Sequence, residues 1–93
     1  MSLEVNSVDT NLFEQIALEK QYEKLEKLLK SFDQSTLIEI MTQTTNDEVR
    51  NKAALILSDS PTLAGGDAIA ALIENPQTYN NRGTLLYALG KFD

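Results

Sequence analysis

The sequence predicts an all-α protein: a short α–α superhelix of stacked antiparallel helical hairpins. Three observations carry that prediction. Apolar residues recur at spacings of three and four along most of the chain. Proline, glycine and small polar residues divide the pattern into helix-length segments. One segment also echoes another thirty-two residues later. Thr45-Asn46-Asp47-Glu48-Val49-Arg50-Asn51-Lys52-Ala53-Ala54-Leu55-Ile56-Leu57 returns as Gln77-Thr78-Tyr79-Asn80-Asn81-Arg82-Gly83-Thr84-Leu85-Leu86-Tyr87-Ala88-Leu89, and a short apolar stretch precedes each copy. The echo speaks to architecture and says little about activity.

Residues 1–10 are polar and acidic and read as an N-terminal tail, with 11–93 as the helical domain. The tail has no basic segment followed by an apolar core, so a secretory signal is not expected. The first helical pattern covers 11–32, with Asp9 or Thr10 as its cap. Leu12, Phe13, Ile16 and Ala17 form an early apolar patch, and Leu18, Tyr22, Leu25, Leu29 and Phe32 continue as one stripe, widened by Leu28. The opposite face pairs Glu23 with Lys27 and Glu26 with Lys30 at i,i+4, each worth ~0.2–0.5 kcal/mol. It reads as a solvated face of a packed helix, since the heptad stretch is short for a coiled coil.

Ser31 to Ser35 reads as a turn, with Asp33 or Ser35 capping a second helix over 35–43. Leu37, Ile38, Ile40 and Met41 form its apolar side, and the threonines 42, 44 and 45 weaken its continuation. Thr45 and Glu48 have capping-box spacing at the start of a third helix ending near Ser58. Asp47 and Glu48 suit the positive end of its dipole. Val49, Ala53, Ile56 and Leu57 line its apolar face, with Ala54 at the edge.

Asp59-Ser60-Pro61-Thr62 is the clearest punctuation in the chain. A fourth helix is expected from Asp67 rather than Pro61, because Gly65 and Gly66 are costly inside a helix. Ala68, Ile69, Leu72 and Ile73 form its apolar side, and Asn75-Pro76 ends it. The last helix is expected over 79–89, with Leu85, Leu86, Ala88 and Leu89 apolar and Gly90 as its C-cap. Gly83 marks either a close helix contact or a weak first turn.

The second and third helices thus form one hairpin (35–58), and the fourth and fifth another (67–90). Neither has enough core alone, so stacking is the expected solution. Val49-Arg50, Ala53-Ala54 and Leu57, with Arg82, Leu85, Leu86 and Leu89 in the later copy, resemble the HEAT-repeat family over roughly residues 33–90. The family usually has an aspartate four residues before its arginine, where this chain has Asn46 and Thr78, and Asn81 stands in the place of Val49. The resemblance implies a right-handed stack whose second helices line an inner, often ligand-facing surface. It gives Arg50 and Arg82 a structural role at the turns between repeats. It leaves Asn51, Lys52, Tyr79 and Asn80 as candidates for partner recognition. The first helix caps the stack or belongs to an incomplete leading repeat.

The composition narrows the function. Fourteen acidic and eight basic side chains leave a formal charge of −6, which disfavours nucleic-acid binding. No Lys or Arg falls between Lys52 and Arg82. Histidine and cysteine are absent, which removes Ser/His and Cys/His catalysis, disulfides, and imidazole or thiolate metal ligands. The lack of disulfides fits a reducing cytoplasm, the expected location. No apolar run is long enough to span a membrane. Asp47, Glu48, Asp59 and Asp67 read as capping or solvated carboxylates, and the Gly65-Gly66 pair lacks the lysine of a phosphate loop.

No catalytic residue, cofactor or metal site is therefore expected. The expected function is a non-catalytic protein-interaction scaffold, with a structural fragment of a larger solenoid as the alternative. A minor alternative follows from the resemblance alone, since some HEAT-like proteins are associated with bilin attachment and a lyase-like role. No polar helix follows Leu89, so a stacking edge is expected to meet a second copy in a homodimer, another protein, or neighbouring repeats.

Overall fold

The computed structural model describes residues 10–92 and is all-helical over them. Six α-helices follow one another: α1 (Asn11–Leu18), α2 (Tyr22–Lys30), α3 (Gln34–Gln43), α4 (Asp47–Asp59), α5 (Leu63–Ile73) and α6 (Gly83–Leu89). Short 3-10 turns occupy Pro76–Thr78 and Gly90–Phe92. Apart from Thr10, the expected tail and its Asp9 cap lie outside the described residues.

α4 is the central helix and packs against the other five. Its Val49, Ala53, Ala54 and Leu57 are almost wholly shielded from solvent. Ala54, expected at the edge, is as deeply buried as Ala53, because α4 has neighbours on more than one side. The core extends through Leu25 and Leu29 of α2, Leu37, Ile40 and Met41 of α3, Ile69 and Leu72 of α5, and Leu85 and Ala88 of α6. From α1, Phe13 meets Phe32 edge to face, with ring centroids 5.7 Å apart.

The single helix expected over 11–32 is two. α1 ends at Leu18, and Lys20 adopts φ 61°. The Lys20 amide donates to the Ala17 carbonyl (2.9 Å) and the Gln21 amide to the Ile16 carbonyl (3.2 Å). This is a Schellman termination with lysine where glycine is usual. The periodic stripe hid the break, because spacings of three and four continue across it. The break turns Leu18 and Tyr22 outward, although the stripe had placed both on the buried face.

The caps follow local chemistry with one shift. Asp33 begins α3, its carboxylate accepting the Thr36 amide at 2.8 Å. Asn46, rather than Thr45, caps α4 and accepts from the amides of Glu48 and Val49. The helix expected from Asp67 begins at Leu63, with Thr62 Oγ1 accepting the Gly65 amide at 3.1 Å. Both glycines lie inside α5, beneath the ring of Phe92. A β-carbon at Gly65 would meet Phe92 Cε2 at 3.3 Å, and one at Gly66 would meet Cδ2 at 3.2 Å. The propensity cost of the two glycines is offset by this close aromatic packing.

The last helix starts later than expected, at Gly83, after the 3-10 turn through Thr78. Nothing lies near the position a Gly83 β-carbon would take, so no close helix contact requires this glycine. Gly90 is the C-cap of α6, but with φ −60° it leads straight into a 3-10 turn. Leu86, expected on the apolar face of this helix, is 52% exposed.

Candidate functional site

The surface shared by α2, α4 and α6 carries the richest side-chain chemistry. α4 packs against both α2 and α6, so residues from all three border one groove of about 230 Å³. Its lining includes Glu26, Lys52, Ile56, Asp59, Tyr87 and Lys91.

An ionic relay crosses the groove. Glu26 Oε2 lies 2.9 Å from Lys30 Nζ on the same helix, and Glu26 Oε1 lies 3.6 Å from Lys52 Nζ on α4. The hydrogen bond from Lys30 is the largest influence on the Glu26 carboxyl, followed by the charges of Lys30 and Lys52, and together they hold it below its ordinary range. Glu26 in turn raises the Lys30 ammonium, first through the hydrogen bond and then through its charge. Lys91 Nζ sits 5.0 Å from the centre of the Tyr87 ring, a cation–π contact at the far side of the groove. The arrangement presents charges of both signs and the exposed Tyr87 ring on one surface.

The structure does not gather the residues singled out from the sequence into one site. Lys52 lines this groove. Asn51 lies one residue before it and donates from Nδ2 to Asn81 Oδ1 at 3.5 Å, bridging α4 to the segment before α6. Tyr79 and Arg82 meet each other, the guanidinium carbon 4.9 Å from the ring centre, and Tyr79 also donates its hydroxyl to the Glu74 carbonyl at 3.3 Å. Asn80 is exposed, and no hydrogen bond joins it to the groove among the described residues.

Arg50 and Arg82 make related contacts in different surroundings. Arg50 is 1% exposed and donates from Nη2 to the Thr44 carbonyl at 3.1 Å, and from Nη1 to the Asp47 carboxylate. It therefore ties the N-terminal turn of α4 to the end of α3. Arg82 is exposed and donates from Nη1 to the Ile73 carbonyl at 3.2 Å, the last residue of α5. Each arginine takes up a carbonyl at the end of the preceding helix, where intrahelical partners run out.

Two buried threonines complete these turns and were not legible as structural residues beforehand. Thr44 Oγ1 donates to Glu14 Oε2 at 2.7 Å and accepts the Asn46 amide at 3.1 Å, fastening α1 to the α3–α4 turn. Thr78 Oγ1 donates to the carbonyls of Leu72 and Asn75. Their signal in the sequence was only that of hydroxyl residues in a turn, which many exposed threonines share.

Among the described residues there is no group of three or more acidic side chains able to hold a metal ion, and no helix is long and apolar enough to cross a membrane. Comparison of the chain with family models, with curated proteins and with solved structures gives no match.

Proposed function

We propose that this chain is a non-catalytic, HEAT-like protein-interaction scaffold that engages its partner across the α2–α4–α6 surface. The observation that carries the reading is the pairing of the helices. α3 packs on α4 and α5 on α6, while α4 also meets α6 and α3 meets α5. These pairings agree with two hairpins set side by side, the arrangement that stacked repeats would have. The surface formed by α4 and α6, extended by α2, bears the Glu26–Lys52 relay and the Tyr87–Lys91 pair.

A photo-crosslinking aromatic placed at Tyr87 tests this reading, with the same group at the exposed Gln43 of α3 as control. Discrete protein adducts are expected from position 87 and not from 43. With the partner purified, Lys52→Glu is expected to weaken binding about tenfold, the scale of losing a charge contact worth ~1.4 kcal/mol. Equal labelling from both positions, or an affinity indifferent to Lys52→Glu, would refute it.

A second reading, a structural segment of a larger HEAT-like solenoid, is favoured by the exposed apolar side chains Leu63 and Leu86 on α5 and α6. In that reading these edges meet neighbouring repeats. Fusing a further helical hairpin after residue 93 would then raise the unfolding temperature of residues 10–92, and an unchanged temperature would count against it.

A further inference from the structure

Among the described residues only Lys20 has a positive φ, and it is not a glycine. The local sequence gives no reason for a break there. Residues 18–24 read Leu-Glu-Lys-Gln-Tyr-Glu-Lys, with no Gly, Pro, Asn or Asp to interrupt a helix. Gln21, the N-cap of α2, makes no side-chain capping bond. Tertiary contacts hold α1 back instead. Phe13 lies against Phe32, and Thr44 Oγ1 donates to Glu14 Oε2 at 2.7 Å. The fold-back leaves Leu18 69% and Tyr22 39% exposed, although both continue the stripe of the buried Leu25 and Leu29.

We infer that residues 19–21 are a hinge, and that its opening joins α1 and α2 into one helix whose α1 segment docks on the body of a second copy, giving a domain-swapped dimer. Opening returns Lys20 to an ordinary helical φ. The amides of residues 22–24 then gain the carbonyls of residues 18–20 as helical partners. The contacts of Phe13 and Glu14 reform with the partner copy, because the exchanged element is identical. The occupant is fixed by the fold, since the site that α1 vacates is shaped for α1. A strained connection of three residues is the kind of hinge that favours such an exchange. The two hinges then lie side by side, where Leu18 and Tyr22 extend the buried stripe toward the partner. Residues 18–24 hold two acids and two bases, so their meeting sets no net charge against its like. The exchange leaves Lys52 and Tyr87 in place and does not rest on partner binding across α2, α4 and α6.

Sedimentation and pulsed electron paramagnetic resonance of the full 93-residue chain test the inference. The wild-type chain, refolded at rising concentration, is expected to form a dimer and no larger species. Lys20→Gly relieves the strain of the closed turn and weakens the continuous helix, and two hinges change in each dimer. It is expected to raise the dimer dissociation constant by about a hundredfold or more. Lys20→Val disfavours the closed turn and is expected to lower that constant. The chain has no cysteine, so Leu12→Cys with Ser31→Cys places a spin label at either end of the α1–α2 pair, both at exposed positions. In the monomer the labels neighbour the touching Phe13 and Phe32, so a short distance is expected. In the dimer, diluted with unlabelled chains, nineteen residues of continuous helix separate them by about 28 Å. Circular dichroism verifies that each variant keeps its helices. A dimer that retains the short distance would be an ordinary surface contact and would overturn the inference. So would a dimer indifferent to Lys20→Gly, or a chain that stays monomeric at every concentration even as Lys20→Val.

Discussion

The guanidinium of Arg50 reaches the carbonyl of Thr44 at 3.1 Å from a position almost closed to solvent. This bond joins two helices at the turn between them. It also occupies a helix-end carbonyl that would otherwise be buried without a partner. Arg50 is among the largest fully buried side chains of the protein, so it acts as packing material as well as donor.

Replacing Arg50 should therefore be among the costliest single changes outside the apolar core. Arg50→Met keeps much of the volume and removes the donors, and is expected to lower stability by about 2–4 kcal/mol. Arg50→Lys should recover only part of this, since one ammonium cannot reproduce the fork to Thr44 and Asp47. Asp47→Ala should cost less, under about 1 kcal/mol, because the Asp47 side chain is 44% exposed and its pairing is screened. Urea unfolding of the three variants checks this order.

Lys20 holds a left-handed conformation that glycine adopts without steric penalty. Lys20→Gly is expected to stabilise the protein by about 0.5–1 kcal/mol, the smaller strain outweighing the greater freedom of the unfolded chain. Lys20→Val should destabilise it, because a β-branched residue fits this region poorly. Thermal unfolding that ranked valine equal to glycine would show that the turn rearranges.

Gly66 and Phe92 should prove energetically coupled. Gly66→Ala gains helix propensity of roughly 1 kcal/mol but brings a β-carbon to 3.2 Å from the Phe92 ring. In the wild-type background the gain should be largely cancelled, and in a Phe92→Ala background it should appear almost in full. A double-mutant cycle is expected to give a coupling of about 0.5–1 kcal/mol. Zero coupling would mean that the ring moves aside freely.

Asp33 links the α3 cap to pH. The Thr36 amide, followed by the Thr36 side chain, holds its carboxyl below the ordinary value. A group with a lowered folded pKa stabilises the protein above its unfolded pKa, about 3.9, and loses that contribution as pH falls through the folded value. Asp33→Asn keeps an N-cap acceptor and removes the titration. Its urea midpoint should fall less than that of the wild type between about pH 5 and pH 2.5. Parallel curves would show that other carboxylates dominate acid unfolding.

Much of the helical pattern was legible because helix formation is local. Asp33 before Leu37 and the Asn75-Pro76 stop each act within a few residues, and the apolar spacing marked Leu25, Leu29, Ile40, Leu57, Ile69 and Leu85 for burial. The candidate site was less legible. The sequence marks Lys52 as a candidate, and Glu26 and Tyr87 border the same groove only because α2 and α6 pack on either side of α4. Periodicity on a single helix carries no information about that meeting.

By itself the sequence determined an all-helical chain, the main turns and most of the buried residues, since propensity, capping and apolar spacing operate within one or two turns. Tertiary structure decided where those rules yielded. It split 11–32 at Lys20, kept Gly65 and Gly66 helical beneath Phe92, and closed the interior over Arg50, Thr44 and Thr78. Each outcome rests on a contact the local pattern does not encode: a core that rewards turning the chain back, a ring that fills the space of absent β-carbons, and helix-end carbonyls that require donors once water is excluded.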